Sequence, residues 1–311
     1  MIANNDILNQ KAYQSIINAK IKNFKLADLM ISIEPSNVCN AECIMCPYPK
    51  MTRKKEIMSM DFFKTIAADC LSNGIKNFNF NFYNEPFLDP HIFERIKFLK
   101  SKGARIQLFS NASIIDQKTA KQIFNSGLDE IILSIDSTTK KNYESIRKKL
   151  NFEVTTNNIL HLIEKRKSLK LKYPKIKLNF VEQKINGAEL KEFQSFWADK
   201  VDKIYFSCDD QRNEISRPLK NLNNKTSTFP CLRIWSELII MSNGRVPLCC
   251  VDYDGKIILG DFNKQNLKKI WGNTSFKRIR KLHLDFKADR IPLCKKCLNL
   301  YRMNVRIMDH K

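Results

Sequence analysis

The sequence predicts an α/β fold, a partial (β/α)6 barrel of the TIM-like kind followed by a small cysteine-rich domain. Three observations lead there. Strand-like and helical runs alternate six times between residues 30 and 207, which implies a parallel sheet with right-handed crossovers. Six strands are too few for a closed eight-stranded barrel of ~250 residues, and no glycine-rich phosphate loop follows the first strand, as a dinucleotide-binding open sheet would have. Cysteines gather in two windows, one directly after the first strand and one near the C-terminus.

The elements follow in order. Residues 1–28 are polar and amphipathic and read as an N-terminal helical extension. The barrel occupies residues 29–208, with strand-like runs at 30–34, 77–83, 105–110, 130–135, 175–182 and 203–207. Helical patterns fall between them at 61–72, 91–102, 116–126, 140–148 with 154–169, and 188–200. Gly74, Gly103 and Gly127 stand where C-terminal caps are expected. The polar stretch 209–229 reads as a linker, and 230–311 as the small domain. Within it Asn243-Gly244, flanked by apolar runs at 237–241 and 246–248, signals a hairpin with those runs side by side.

A chain of 311 residues at 43% hydrophobic can bury one large core and one small one. Ten cysteines without a secretory signal segment suggest a reducing compartment, hence the cytoplasm, and metal ligation rather than disulfides. No apolar run approaches the ~20 residues of a membrane span. The net charge is +22, from 54 Lys and Arg against 32 Asp and Glu. Such a surface attracts anions, among them acidic proteins. The basic residues are scattered, with short clusters such as 53–55 and 165–167, so charge alone does not predict nucleic-acid binding.

Cys39, Cys43 and Cys46 form a C-x3-C-x2-C run after the first strand. Three thiolates on a tight loop can hold three corners of a cubic iron–sulfur cluster and leave one iron open. A zinc site completed by a distant ligand is the alternative on spacing alone. Further on, Cys231 and Cys249 precede the pair Cys294 and Cys297, and two such pairs can enclose a metal completely.

The first window resembles the cluster loop of radical S-adenosylmethionine (SAM) enzymes, with Met45 where that family usually has an aromatic residue. The resemblance implies a [4Fe–4S] cluster whose open iron binds SAM. Reductive cleavage of SAM then gives methionine and a 5′-deoxyadenosyl radical that takes a hydrogen atom from substrate. Four further segments resemble the family's SAM-binding motifs, three of them at successive strand ends. Asn84 and Glu85 match a segment that binds the SAM amino group, with Asn84 in place of a glycine. Ser110 and Asn111 match a Thr-Asn-Gly turn, Ser134 and Asp136 a Ser-Ile-Asp segment, and Arg147 completes the match after residues 143–146. Each alone is also an ordinary loop residue; together and in order they imply a SAM site.

The run of Cys231, Gly244 and Cys249 resembles the opening of a SPASM extension. With no cysteine after Cys297, the layout is similar to the truncated twitch type, with one auxiliary [4Fe–4S] cluster on Cys231, Cys249, Cys294 and Cys297. The same layout resembles that of twitch-domain cyclitol dehydrogenases. It implies two clusters plus SAM, and oxidation of an alcohol on a sugar or cyclitol by passing an electron to the auxiliary cluster. A peptide-modifying maturase and a radical epimerase are the alternatives, and a zinc-binding module is the remote one. An acidic electron donor, flavodoxin or ferredoxin, is the expected partner. Cys208, at the end of the sixth strand, is a candidate hydrogen donor for an epimerase. Cys70 and Cys250 are expected in the core, Cys250 because strand alternation would turn it away from Cys249.

Overall fold

A computed structural model describes residues 15, 18–19, 21–208, 230–295 and 297. The linker at 209–229 and most of the N-terminal extension lie outside these residues. Six strands fall where apolar or alternating runs predict them: β1 (Met30–Ile33), β3 (Asn77–Asn79), β4 (Arg105–Ser110), β5 (Glu130–Ser134), β7 (Lys175–Glu182) and β8 (Lys203–Cys208). Two-residue strands β2 (Glu42–Cys43) and β6 (Arg147–Lys148) lie between them. The C-terminal region adds β9 (Glu237–Ile240), β10 (Arg245–Pro247) and β11 (Ile258–Asp261).

The main sheet has seven parallel strands in the order β8-β7-β5-β4-β3-β1-β9. Alternation fixes what each face does. Ile31, Phe78, Ile106, Leu108, Ile131, Leu133, Ile176, Leu178, Phe180 and Ile204 are buried in the core. Their neighbours in sequence, such as Gln107, Lys177, Asn179 and Tyr205, are only half-buried.

The crossover helices are α1 (Met60–Ser72), α2 (Ile92–Ser101), α3 (Gln117–Ser126), α4 (Lys140–Ile146), α5 (Phe152–Ser168) and α6 (Leu190–Trp197). Ser59, Asp116, Thr139 and Asn151 start four of them, each side chain accepting the amide of the third helical residue. Gly127 ends α3 at φ +81°, a left-handed cap.

Two expectations change. The run from 140 stops being helical at Ile146, because Arg147 and Lys148 go extended and pair antiparallel with Cys43 and Glu42. The Asn243-Gly244 reversal forms, with Gly244 at φ +82° and its amide donating to the Met241 carbonyl at 2.8 Å. Its flanking runs nonetheless ladder elsewhere. β9 pairs in parallel with β1, and β10 pairs antiparallel with β11. The free flank of β1 takes β9, so the principal sheet draws its seventh strand from the C-terminal region. Helices α7 (Arg233–Ser236), α8 (Leu267–Trp271), α9 (Thr274–Leu284) and α10 (Pro292–Lys295) also lie in that region.

Candidate active site at the carboxyl ends of the strands

The loop after β1 is closed at its base. Ser36 bridges Ile57, and the Met58 amide donates to the Pro35 carbonyl at 2.7 Å. Buried Asn37 spans the loop, donating to the Lys54 carbonyl and accepting the Glu56 amide. Within this frame the Cys46 amide donates to the Cys43 carbonyl at 3.0 Å, and the Cys39 amide to the Tyr48 hydroxyl at 2.8 Å. Burial pushes the Cys39 thiol up to about 12, and the nearby Glu85, Cys43 and Cys46 add to the effect. Burial also pushes Cys43 up, opposed by Arg147. Three mutually close thiols, of which Cys39 and Cys43 resist ionising unaided, are a donor set suited to a polycationic iron cluster.

Arg147 reaches Cys43 through the β2–β6 pair. Its Nη1 lies 3.7 Å from Cys43 Sγ, and its Nη2 lies 2.7 Å from Asp136 Oδ2. Asp136 is fully buried and accepts the Val181 amide at 2.8 Å. Burial pushes its carboxyl up, and the guanidinium opposes that. Among the described residues Arg147 Nε has no hydrogen-bond partner.

Glu85 converges with the next strand end. Its Oε1 accepts from Ser110 Oγ at 2.8 Å and Oε2 from the Asn111 amide at 2.8 Å, while its own amide donates to the Val38 carbonyl beside the cysteines. The Asn111 side chain donates to Asn40 Oδ1 at 2.9 Å. Burial lifts the Glu85 carboxyl to about 7 against these donors. Asn84 spends its amide inside its own turn, accepting from the Phe82 amide and donating to the Phe80 carbonyl. Ser134 stands half-buried at the end of β5, in register with Asn179 of β7. Cys208 ends β8, in register with Glu182; its side chain lies outside the described residues.

The second constellation assembles at the far flank. Burial raises the Cys249 thiol, with Cys250, Cys231 and Cys294 as further causes. Cys294 is raised by burial, then by Cys297 and Cys231. Cys231, Cys249 and Cys294 therefore lie within electrostatic reach of one another, and Cys297 within reach of Cys294. Cys250 is partly buried and packs against the core, as expected, and lies near enough to Cys231 and Cys249 to raise their thiols. Strand alternation is not the reason, because the chain leaves β10 at Pro247 and Cys249 and Cys250 sit in a bend and turn. Among the described residues no three His, Cys, Asp or Glu groups converge at single-ion spacing. Four thiols in two pairs are a donor set that fits an iron–sulfur cluster.

His283 was not legible as part of this site. It lies on the buried face of α9 with Phe276 and Ile279. It accepts the Cys231 amide at Nδ1 (3.3 Å) and has Nε2 3.5 Å from Cys294 Sγ. Burial pulls its pKa down to about 4. Only the helical periodicity of 276, 279 and 283 hinted that it faces inward.

Side chains of the strand ends join the two constellations. Tyr83, two residues before Glu85, donates its hydroxyl to the Cys250 carbonyl at 2.6 Å. Arg53 grips buried Glu34 with two bonds, 2.6 and 2.8 Å, and donates from Nε to the Tyr253 carbonyl at 2.6 Å. Glu34 in turn accepts the Tyr83 and Ser242 amides, each at 3.3 Å. A cavity of about 630 Å³ opens instead among the strand starts, lined by charged groups such as Arg105, Glu130, Lys175 and Lys177. Its acids are largely paired with its bases, and it lies at the end of the sheet away from the cysteines.

Comparison with known proteins gives two family matches. Residues 33–181 match the Radical SAM superfamily, and residues 231–298 match SPASM, an iron–sulfur cluster-binding domain. The S-adenosyl-L-methionine-dependent 2-deoxy-scyllo-inosamine dehydrogenase of Niallia circulans is 21% identical over 276 residues, 87% of this chain and 93% of that protein. The tungsten-containing aldehyde ferredoxin oxidoreductase cofactor-modifying protein of Pyrococcus furiosus is 24% identical over 166 residues, 53% of this chain and 46% of that one. Among solved structures, BtrN in complex with AdoMet and 2-DOIA has a TM-score of 0.59 at 18% identity, covering 89% of this chain and 94% of BtrN. Streptococcus suis SuiB bound to precursor peptide SuiA has a TM-score of 0.67 at 15% identity, covering 90% and 73%. At these identities the structures show likeness of fold. No helix among the described residues is long and apolar enough to cross a membrane.

Proposed function

We propose, from the premise that the chain belongs to the radical SAM superfamily and carries a C-terminal SPASM-type iron–sulfur domain, that it oxidises an alcohol of a sugar or cyclitol. The observation that supports this most directly is the joining of two cysteine constellations through Tyr83, Arg53 and Glu34. A site that generates a substrate radical and a site that accepts its electron need such proximity. Similarity to a cyclitol-amine dehydrogenase along 87% of the chain points the same way.

Cys39, Cys43 and Cys46 would hold three irons of the SAM-binding cluster, and Cys231, Cys249, Cys294 and Cys297 the auxiliary one. When bound, the first cluster and SAM supply reductive cleavage to the 5′-deoxyadenosyl radical, and the second supplies a one-electron acceptor. Arg147 offsets thiolate charge at Cys43. Asp136 holds that guanidinium in place. Glu85, oriented by Ser110 and Asn111, offers a carboxylate to the SAM ammonium. The acidic partner that would deliver electrons is drawn by the +22 surface.

The test is anaerobic turnover of reconstituted protein, expected to carry about eight irons by this ligand count. Replacing Cys39, Cys43 and Cys46 with Ala should halve the iron and abolish 5′-deoxyadenosine. Replacing Cys294 and Cys297 should keep 5′-deoxyadenosine but stop release of a product lacking two hydrogens. Persisting 5′-deoxyadenosine in the first variant overturns the site; normal product from the second overturns the acceptor role.

A further inference from the structure

We infer that His283 is a positioning residue for the auxiliary cluster, donating a hydrogen bond from Nε2 to the Cys294 sulfur and so raising that cluster's reduction potential. The inference rests on the reading that Cys231, Cys249, Cys294 and Cys297 bind a cluster. The ring's geometry carries it. The imidazole is 1% exposed, and α9 turns it inward beside Phe276 and Ile279. The Cys231 amide points at Nδ1 from 3.3 Å. A backbone amide can only donate, so Nδ1 presents its lone pair, and a hydrogen there would collide with the amide hydrogen. The ring hydrogen is therefore on Nε2, which faces Cys294 Sγ at 3.5 Å. The Trp235 ring meets the imidazole edge-on, 6.4 Å away at 82°, and limits its rotation.

One ring thus touches two of the four proposed ligands, accepting from the backbone of one and donating to the sulfur of the other. A donor aimed at a ligating thiolate withdraws charge from it. The reduced cluster is the more negative state and gains more from the bond, so its potential rises. For an acceptor of a substrate-derived electron, the bond shifts the equilibrium toward reduction of the cluster.

The test uses the full chain with Cys39, Cys43 and Cys46 replaced by Ala, so that one cluster signal remains, in a redox titration followed by electron paramagnetic resonance. His283→Leu should lower the reduced-to-oxidised ratio at a fixed poise about tenfold, which is about 59 mV for a one-electron couple. His283→Gln keeps an N–H donor and should recover most of that difference. A potential unchanged in His283→Leu overturns the inference while the cluster reading stands. Absence of any cluster in the parent background overturns the cluster reading and this inference with it. A second measurement needs no change at 283: with [15N]histidine in the same background, pulsed resonance should show a weak nitrogen coupling to the reduced cluster. Absence of that coupling likewise overturns the hydrogen bond.

Discussion

Glu85 couples folding to pH. Burial lifts its carboxyl from 4.5 to about 7 in the cofactor-free protein. The folded chain then keeps a proton that the unfolded chain releases near pH 4.5, so this group favours folding at low pH. Its contribution is lost as pH rises from 4.5 to about 7, and amounts to about 3 kcal/mol at most. In cluster-free protein, Glu85→Gln should flatten the slope of the urea midpoint across that window; an unchanged slope would place the proton elsewhere. The side chain accepts three hydrogen bonds, so Glu85→Ala should cost stability as well as SAM affinity. Arg53 makes a stronger case. Removing its guanidinium leaves Glu34 buried with two long amide contacts among the described residues. Arg53→Ala should cost about 3–5 kcal/mol in chemical denaturation. Arg53→Lys should recover little of that, because one ammonium cannot reproduce the paired bonds.

At the level of elements, local pattern carried what local forces decide. The six strands of the barrel and their helices fall within a few residues of the periodic runs, since burial of one face is written every second or every third to fourth residue. The β2–β6 pair was illegible because two-residue strands have no period. β9 was visible as a strand but not as the neighbour of β1, because register between distant strands leaves no mark in either segment. The cysteine spacings could be read directly, whereas His283 could not: its partners lie 52 and 11 residues away. Close packing in the C-terminal region yields a sharp test. Gly260 of β11 faces α8 so closely that an added Cβ would lie 2.5 Å from Ile270 Cγ2. Gly260→Ala should lose about 1–3 kcal/mol. Combined with Ile270→Ala, the total should fall short of the sum of the single losses in a denaturation cycle.

For the whole molecule, β9 is as much part of the main sheet as β3. It satisfies the outer flank of β1, where the Glu34 amide also donates to the Ile240 carbonyl at 2.8 Å. A chain ending at Cys208 should expose that apolar flank and associate or precipitate. A soluble monomer by light scattering would show that β9 is dispensable. The same pairing sets a timetable during synthesis. Ser32 on β1 and Glu237 on β9, joined by a 2.7 Å hydrogen bond, lie 205 residues apart. At ordinary translation speed a ribosome needs about 10–40 s to cover that span. Throughout that interval the first strand is made, its inner neighbours are arriving, and its outer edge waits. The nascent chain therefore offers a chaperone a well-defined place to hold, and slow codons between positions 32 and 237 lengthen the wait without altering the finished protein.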